Sequence, residues 1–289
     1  GVGRVVVLDR EAEAGGIPRH CGHPPFGLRE FHRIMAGPSY ARRLVETARN
    51  AGADIALKTT VTALGPSGAL SVVSPAGLAK LSARRVVLAT GIRETPRAAR
   101  LVSGDRPLGI CNTGALQSMV YLKNRIPFRR PVVVGTELVS FSALLTCRRA
   151  GIRPAAMLEE GPRASVRWPL HHGARLFGVP LLLGARIAAI RISDESGRPR
   201  EIGCDGVLFT GRFTPEASLV ALSHLALDPD TGGPVIDRFG RCSDPAYFAA
   251  GNVLRSVETA GICWREGRAA ARWIARDFAG GLPSPENTG

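Results

Sequence analysis

Residues 84–91 read Arg-Arg-Val-Val-Leu-Ala-Thr-Gly, and residues 206–211 read Gly-Val-Leu-Phe-Thr-Gly. Each is a short apolar run that ends in Thr-Gly. Runs apolar on both faces suit strands of a parallel sheet covered by helices on either side. A small residue, a hydroxyl and a glycine at a strand end permit a tight turn beside a phosphate or a ring. Two such endings, 120 residues apart, predict two related dinucleotide-type domains in one chain.

Outward from these runs the same pattern continues. Strand-like segments are predicted at Arg4–Leu8, Arg85–Ala89, Pro131–Val134, Ala155–Leu158, Gly206–Phe209 and Ala246–Ala249. Helices are predicted at Pro38–Ala51, Ser140–Ala150 and Gly261–Ala279, where apolar residues recur at three- and four-residue intervals. The first two stop at Gly52 and Gly151, as helix C-termini commonly do. Asp54–Ala63 and Ser71–Ser74 read as an antiparallel meander. The alternation of strand and helix predicts an α/β class with doubly wound, Rossmann-like domains.

The chain has 289 residues, 45% of them hydrophobic, enough for two cores and too many for a disordered chain. Its net charge of +14 comes from arginine: only Lys58, Lys80 and Lys123 are lysines, the other 35 basic residues being Arg. That skew fits the codon usage of a GC-rich bacterial genome. The arginines are scattered and aromatics are only 6%, which argues against a nucleic-acid partner. No apolar run reaches the roughly 18 residues of a membrane span, and GVGRVVVLDR lacks the pattern of a signal peptide. The six cysteines are widely spaced, with no CxxC for redox exchange or zinc. They read as reduced thiols, so a cytoplasmic protein without a metal site is expected.

Four places carry candidate chemistry. Asp9, with Arg10 beside it, ends the first strand where a dinucleotide fold puts a ribose-binding carboxylate, and Gly15-Gly16 follow after a short loop; a surface Asp before an ordinary turn reads equally well. Ala89-Thr90-Gly91 ends the strand quoted above. Gly135 opens a third place, Pro131-Val-Val-Val-Gly-Thr-Glu-Leu-Val-Ser140, laid out like G-x-G-x-x-G but with Glu137 and Ser140 at the second and third glycine positions. Either that half binds no dinucleotide or it binds one differently. The fourth is Gly251-Asn252, followed by Thr259-Ala260 at a helix start, whose free N–H groups and positive dipole end suit the electron-rich edge of a reduced flavin; a plain loop and capped helix is the alternative.

The blocks GGIPRHCGHPPFGLREF (15–31), GPSYARRL (37–44), VVLATGIRETPR (86–97), CNTGALQ (111–117), VVVGTELVSFSAL (132–144), FTGRFTPE (209–216) and AAGNVLRSVETAGICWREGR (249–268) resemble one family. It is that of the two-dinucleotide-domain, pyridine nucleotide-disulfide oxidoreductase-like flavoproteins. Within it the chain is similar to the FAD/NAD-type subunit of opine oxidase, hydroxyproline or proline dehydrogenase, and hydrogen cyanide synthase complexes. The resemblance implies a discontinuous FAD domain at 1–108 and 234–280 around an inserted NAD(P)-like domain at 109–233, with a loose tail at 281–289. Asp9 would hold the adenosine ribose, Thr90-Gly91 would pass near FAD, and Gly251-Asn252 would meet its pyrophosphate and ribityl chain. Thr259-Ala260 would face the flavin edge. Ile17–His23 would run past the reactive side, making His20, Cys21 and His23 candidates for proton transfer or ring tuning.

Departures accompany the resemblance. Asn252 stands where Asp is commoner in the larger superfamily. The family's first glycine fingerprint would precede residue 1, so the chain is expected to be N-terminally truncated, its FAD domain lacking the first strand and helix. Nothing after Cys263 supplies iron–sulfur ligands, so electrons would pass to a cofactor, such as an iron–sulfur centre, on another subunit. The expected function is therefore an FAD-dependent electron-relay subunit of a heteromeric amino- or imino-acid dehydrogenase or oxidase. Two alternatives remain open: a stand-alone NAD(P)H-dependent flavin reductase, and a degenerate scaffold subunit. The second domain would hold NAD(P), another adenine nucleotide, or nothing.

Overall fold

A computed structural model of the chain describes residues 3–102, 108–166, 173–187, 192–193, 199–200 and 202–283. The chain opens with β1 (Val6–Leu8), runs through α1 (Leu28–Phe31) and α2 (Gly37–Asn50), and returns as β2 (Asp54–Ala56), parallel to β1. An antiparallel meander follows, β3 (Thr60–Leu64), β4 (Ala69–Ser74) and β5 (Gly77–Ser82). After it come β6 (Val86–Leu88) and β7 (Ile92–Glu94).

The middle of the chain builds a five-stranded sheet. Its parts are β8 (Ile110–Asn112), α3 (Thr113–Gln117), β9 (Pro131–Val134), α4 (Leu138–Arg149), β10 (Ala156–Leu158), α5 (Gly173–Leu176) and β11 (Leu181–Leu182). Three two-residue antiparallel strands, β12 (Arg186–Ile187), β13 (Ile192–Ser193) and β14 (Pro199–Arg200), lead to β15 (Gly206–Phe209). The sheet order is β11-β10-β9-β15-β8, all parallel. Then β16 (Phe213–Pro215) pairs antiparallel with β7, and after α6 (Ser218–Ala221) β17 (Tyr247–Ala249) pairs parallel with β6. The long α7 (Ala260–Phe278) closes the described chain.

The strand and helix predictions match these elements to within a few residues at each end. The exception is Asp54–Ala63. Asp54–Ala56 joins β1 rather than the meander, because Leu57-Lys58-Thr59 turns the chain, Lys58 at a positive φ, before β3 begins. The meander's third strand is the exposed Gly77–Ser82, whose pattern carries no buried stripe to read. Of the predicted tail, 284–289 lies outside the described residues.

Strand alternation builds the cores. In β9 and β10, Val133 and Met157 point to one face of the five-stranded sheet and pack with Leu116, Leu144 and Leu208. Val132, Ala156 and Leu158 point to the other and pack with Ala185. Apolar residues on both faces were the signal of a covered parallel sheet, and each large side chain so buried stabilises by roughly 1.5–3 kcal/mol. A further core joins Leu64, Leu70 and Val72 of the meander to Leu88, Tyr247 and Val253.

Tyr247 ties that core together. Fully buried, it donates its hydroxyl towards Gly65 O at 2.6 Å and Ala69 O at 3.0 Å, across the turn into β4. Tyr247→Phe removes the donor to the part-buried Gly65 carbonyl and one of two donors to the Ala69 carbonyl. It should lower unfolding free energy by about 1–3 kcal/mol in chemical denaturation without changing the far-UV spectrum.

Candidate functional site

Parallel pairing brings distant segments to one edge. In β6 and β17, Leu88 stands opposite Ala249, so the turns after both strands lie side by side. Ala250 N–H donates to Leu88 O at 3.1 Å. Gly91 (φ +76°) and Gly251 (φ +82°) take left-handed conformations that a side chain resists. Thr90 is exposed and donates its hydroxyl to Glu216 O at 2.6 Å, while Glu216 N–H returns a bond to Gly91 O at 2.8 Å. Ala89, also exposed, completes this turn.

Asp9 lies just past β1, its Oδ1 accepting from Glu11 N–H at 2.9 Å, with Arg10 exposed beside it. Gly15 (φ +124°) is pressed against α2: a Cβ there would come within 2.9 Å of Ala41 Cβ. Gly16 (φ +59°) faces open space.

The Gly251 turn is more committed than its sequence suggests. Gly251 N–H donates to Glu266 Oε2 at 2.9 Å, and Arg255 pairs with the other oxygen of Glu266. Asn252 spends its amide on the backbone of Glu258, donating Nδ2–H to Glu258 O at 3.2 Å and accepting Glu258 N–H at 2.6 Å. It therefore shapes the loop that delivers Thr259 and Ala260 to the start of α7. Thr259 is the N-cap but makes no side-chain cap bond.

The segment carrying His20, Cys21 and His23 begins as a short 3-10 turn, Ile17–His20, laid on the start of α2. Gly37 makes that contact feasible, since a Cβ there would stand 2.3 Å from Pro18 O and 2.4 Å from Cys21 O. His20 Nδ1 is buried and unpartnered, and burial, reinforced by Arg19, holds the imidazole below its ordinary pKa. Cys21 Sγ donates to Gln117 Oε1 at 3.7 Å, Gln117 Nε2–H donates to Ser142 Oγ at 2.7 Å, and Ser142 Oγ lies 2.6 Å from His23 Nε2. His23 Nδ1 lies 2.9 Å from Pro24 O, a carbonyl that can only accept. In the neutral imidazole the proton therefore sits on Nδ1, which leaves Nε2 to accept from Ser142. Every hydrogen bond from Cys21 to Pro24 then has a fixed direction.

Burial pushes the Cys21 thiol up to about 11, the Glu94 carboxylate adding to it. At neutral pH this group is a thiol that donates, not a thiolate nucleophile. Glu94 itself is buried at the end of β7. Gly114 N–H donates to its Oε2 at 2.7 Å, and its Oε1 has no partner. Burial raises its pKa, and the Gly114 bond opposes the shift. Glu94, Gln117 and Ser142 escape sequence reading because each lies in an ordinary helix or strand. Their link to residues 20–23 exists only through packing. The one available signal was that the blocks 86–97, 111–117 and 132–144 all resembled one family.

The sequence profile of the pyridine nucleotide-disulphide oxidoreductase family matches residues 14–267, and the chain belongs to that family of oxidoreductases. It is similar to an opine oxidase subunit of Rhizobium meliloti, 24% identical over 204 residues that cover 67% of this chain and 43% of that protein. The chain thus matches less than half the length of this curated relative. Its fold superposes on T. acidophilum thioredoxin reductase with a TM-score of 0.78 at 20% identity, covering 96% of this chain and 92% of the other. It superposes on L-proline dehydrogenase from P. horikoshii with a TM-score of 0.68 at 17% identity, covering 96% and 51%. Among the described residues no helix is long and apolar enough to cross a membrane, and no three His, Cys, Asp or Glu side chains gather as metal ligands would.

Flavoproteins of this family bind FAD and NAD(P). The turns that follow β1 and β6 leave room for FAD: at both Gly16 and Gly91 an added Cβ would meet no atom within 4 Å, so a bulky ligand can pass against bare backbone. The second glycine turn, at Gly135, does not offer such space, because Glu137 fills it.

The thiols give a pH signature. Cys21 is raised to about 11 and Cys111, Cys147 and Cys242 to about 12, in each case chiefly by burial. Folded-state pKa values above unfolded ones mean the folded chain holds these protons more tightly. Their contribution is complete below the unfolded thiol pKa and is lost as pH rises through the range from about 9 to 12. Unfolding free energy should fall steadily above pH 9, while iodoacetamide at pH 8 should label these four cysteines far more slowly than in the denatured chain.

Proposed function

We propose that this oxidoreductase is an FAD-dependent electron-relay subunit of a heteromeric enzyme that oxidises an amino or imino acid. The observation that carries the reading is the match, over two thirds of the chain, to a protein that is by name one subunit of an oxidase. The likeness in fold to an L-proline dehydrogenase supports the substrate class. Opines and L-proline share a secondary amine next to a carboxylate. Oxidation removes a hydride equivalent from carbon and a proton from nitrogen. When bound, FAD supplies the acceptor for that electron pair and can release electrons singly.

The chain's own residues then have separable tasks. Asp9, with Arg10 near it, holds the adenosine ribose, Gly15 and Gly16 let the chain pass close to the cofactor, and Ala89-Thr90-Gly91 line its path. Gly251 and Asn252 hold the loop that aims Thr259, Ala260 and the N-terminus of α7 at the flavin edge. The Cys21–Gln117–Ser142–His23 chain orients His23 as a proton acceptor at Nε2, and His20, kept neutral by burial, tunes the polarity of the same segment.

The FAD part comprises about 1–108 and 234–280 and the inserted part about 109–233. Ala217, Val220 and Leu225 share a core with Leu88 and Tyr247, which supports a second boundary nearer β16. The partners are the substrate-oxidising subunit and an iron–sulfur protein, and the compartment is the cytoplasm, where thiols stay reduced.

A stand-alone reductase is favoured by the near-complete overlap with thioredoxin reductase. Against it, all six cysteines are free and none of the shifts places a thiolate at neutral pH.

Purified with its partner subunits, the protein should show oxidised-flavin absorption, release FAD identified by mass, and bleach on addition of a secondary-amine acid. Asp9→Ala, which removes a charge-assisted ribose bond, should weaken FAD retention by roughly tenfold. Colourless protein with its partners present would sink the flavin assignment, and flavin that bleaches only with NADH or NADPH would sink the relay.

A further inference from the structure

The five-stranded sheet has its own carboxyl edge, and its strand order reverses there: β10 and β11 lie to one side of β9, β15 and β8 to the other. Open α/β sheets take ligands at such a switch point. Two glycines flank it, Gly135 after β9 (φ +111°) and Gly211 after β15 (φ +65°), and α4 begins at Leu138. A dinucleotide pyrophosphate would need the bare backbone between these glycines and the helix N-terminus.

That space is filled by the chain itself. A Cβ built on Gly211 would lie 2.2 Å from Glu137 Oε1, and one on Gly135 would lie 2.5 Å from Glu137 Oε2 and 2.4 Å from Thr210 Oγ1. The Glu137 carboxylate therefore lies over both glycines at once. It makes no cap bond to its own helix. Ser140 Oγ lies 3.1 Å from Oε2 and 2.7 Å from Thr210 Oγ1, with one hydroxyl proton to offer between them. The Thr210 hydroxyl, also 3.1 Å from Oε2, shares its single proton between that oxygen and Val134 O at 2.8 Å. Ser140 and Thr210 are buried, so the carboxylate rests on a built floor rather than on solvent.

A second carboxylate stands at the end of β10, where the ribose-binding acid of a dinucleotide fold belongs. This is Glu159, already engaged by the Thr136 hydroxyl, by Ser165 Oγ at 2.9 Å and by Gly161 N–H at 3.3 Å.

We propose that Glu137 is a built-in occupant of the phosphate cradle and closes the second half of the chain to NAD(P)H. A pyrophosphate would have to displace a carboxylate of like charge from the same atoms. The inference rests on this geometry and not on the relay reading, which can fail while the closure stands.

The test titrates NADH and NADPH into the purified protein, wild type and Glu137→Gly, with binding read by nicotinamide fluorescence and calorimetry so that no turnover is needed. Wild type should show no saturable binding up to millimolar nucleotide, and E137G should bind at least tenfold more tightly. Saturable micromolar binding to wild type overturns the proposal, whether or not the variant folds. Folded E137G and E137A that gain nothing over a non-binding wild type also overturn it, because the closing group would then lie elsewhere.

Discussion

Everything in this protein depends on how near another chemical group can come to the backbone at the carboxyl end of a parallel strand. The polar backbone groups at that edge are not all used up by the sheet, and a turn at positive φ keeps side chains out of their way. Pairing does the assembly. Residues 88 and 249 are opposite each other in β6 and β17, so two turns 160 residues apart in sequence meet. The same holds for Val134 and Phe209 in β9 and β15. The turns at Gly16 and Gly91 are left open, and those at Gly135 and Gly211 are filled by the side chain of Glu137. An open glycine turn and a filled one thus differ by the few atoms of one side chain.

The framework was legible in the sequence because both of its signals are local. Val132-Val133-Val134 and Val86-Val87-Leu88 are apolar at every position, and helices α2 and α7 carry their period within themselves. Asp54–Ala63 misled because it looks like one alternating strand, yet its first half is claimed by β1 through a parallel pairing across fifty residues. The glycine turns were legible for the same local reason. What those turns hold was not. Asn252 reads as a ligand side chain, but both ends of its amide are committed to Glu258, and Glu266, six residues into α7, takes the Gly251 N–H.

Residues 20–23 show how packing reassigns chemistry. Two histidines and a cysteine in a polar turn read as candidates for proton transfer or ring tuning. In the folded chain the cysteine is half-buried near Glu94, and both desolvation and that negative charge keep its proton on. A thiol in that state keeps a proton to donate, and Gln117 Oε1 receives it. The polarity then passes through Ser142 and ends at a histidine whose tautomer is fixed by the Pro24 carbonyl. Each such hydrogen bond is worth only about 0.5–1.5 kcal/mol net, but together they leave one orientation for the imidazole. Fixing which nitrogen accepts is what a proton-handling residue needs, and no pairwise spacing in the sequence reveals it.

The carboxylate at the second edge follows from the same physics that makes the first a binding site. A helix N-terminus beside bare glycine backbone favours negative charge, whether a ligand or a side chain brings it. Glu137 meets that preference from within, one residue before α4 begins, and buried Ser140 and Thr210 give its oxygen the hydroxyl contacts a phosphate oxygen would seek. Such a substitution costs the fold little, since it satisfies the cradle instead of dismantling it, and this explains why the surrounding sheet, turn and helix keep the geometry of a nucleotide-binding half. It also constrains the electron path. If the second half cannot present a nicotinamide, reducing equivalents must arrive from outside this framework, as the proposed relay requires.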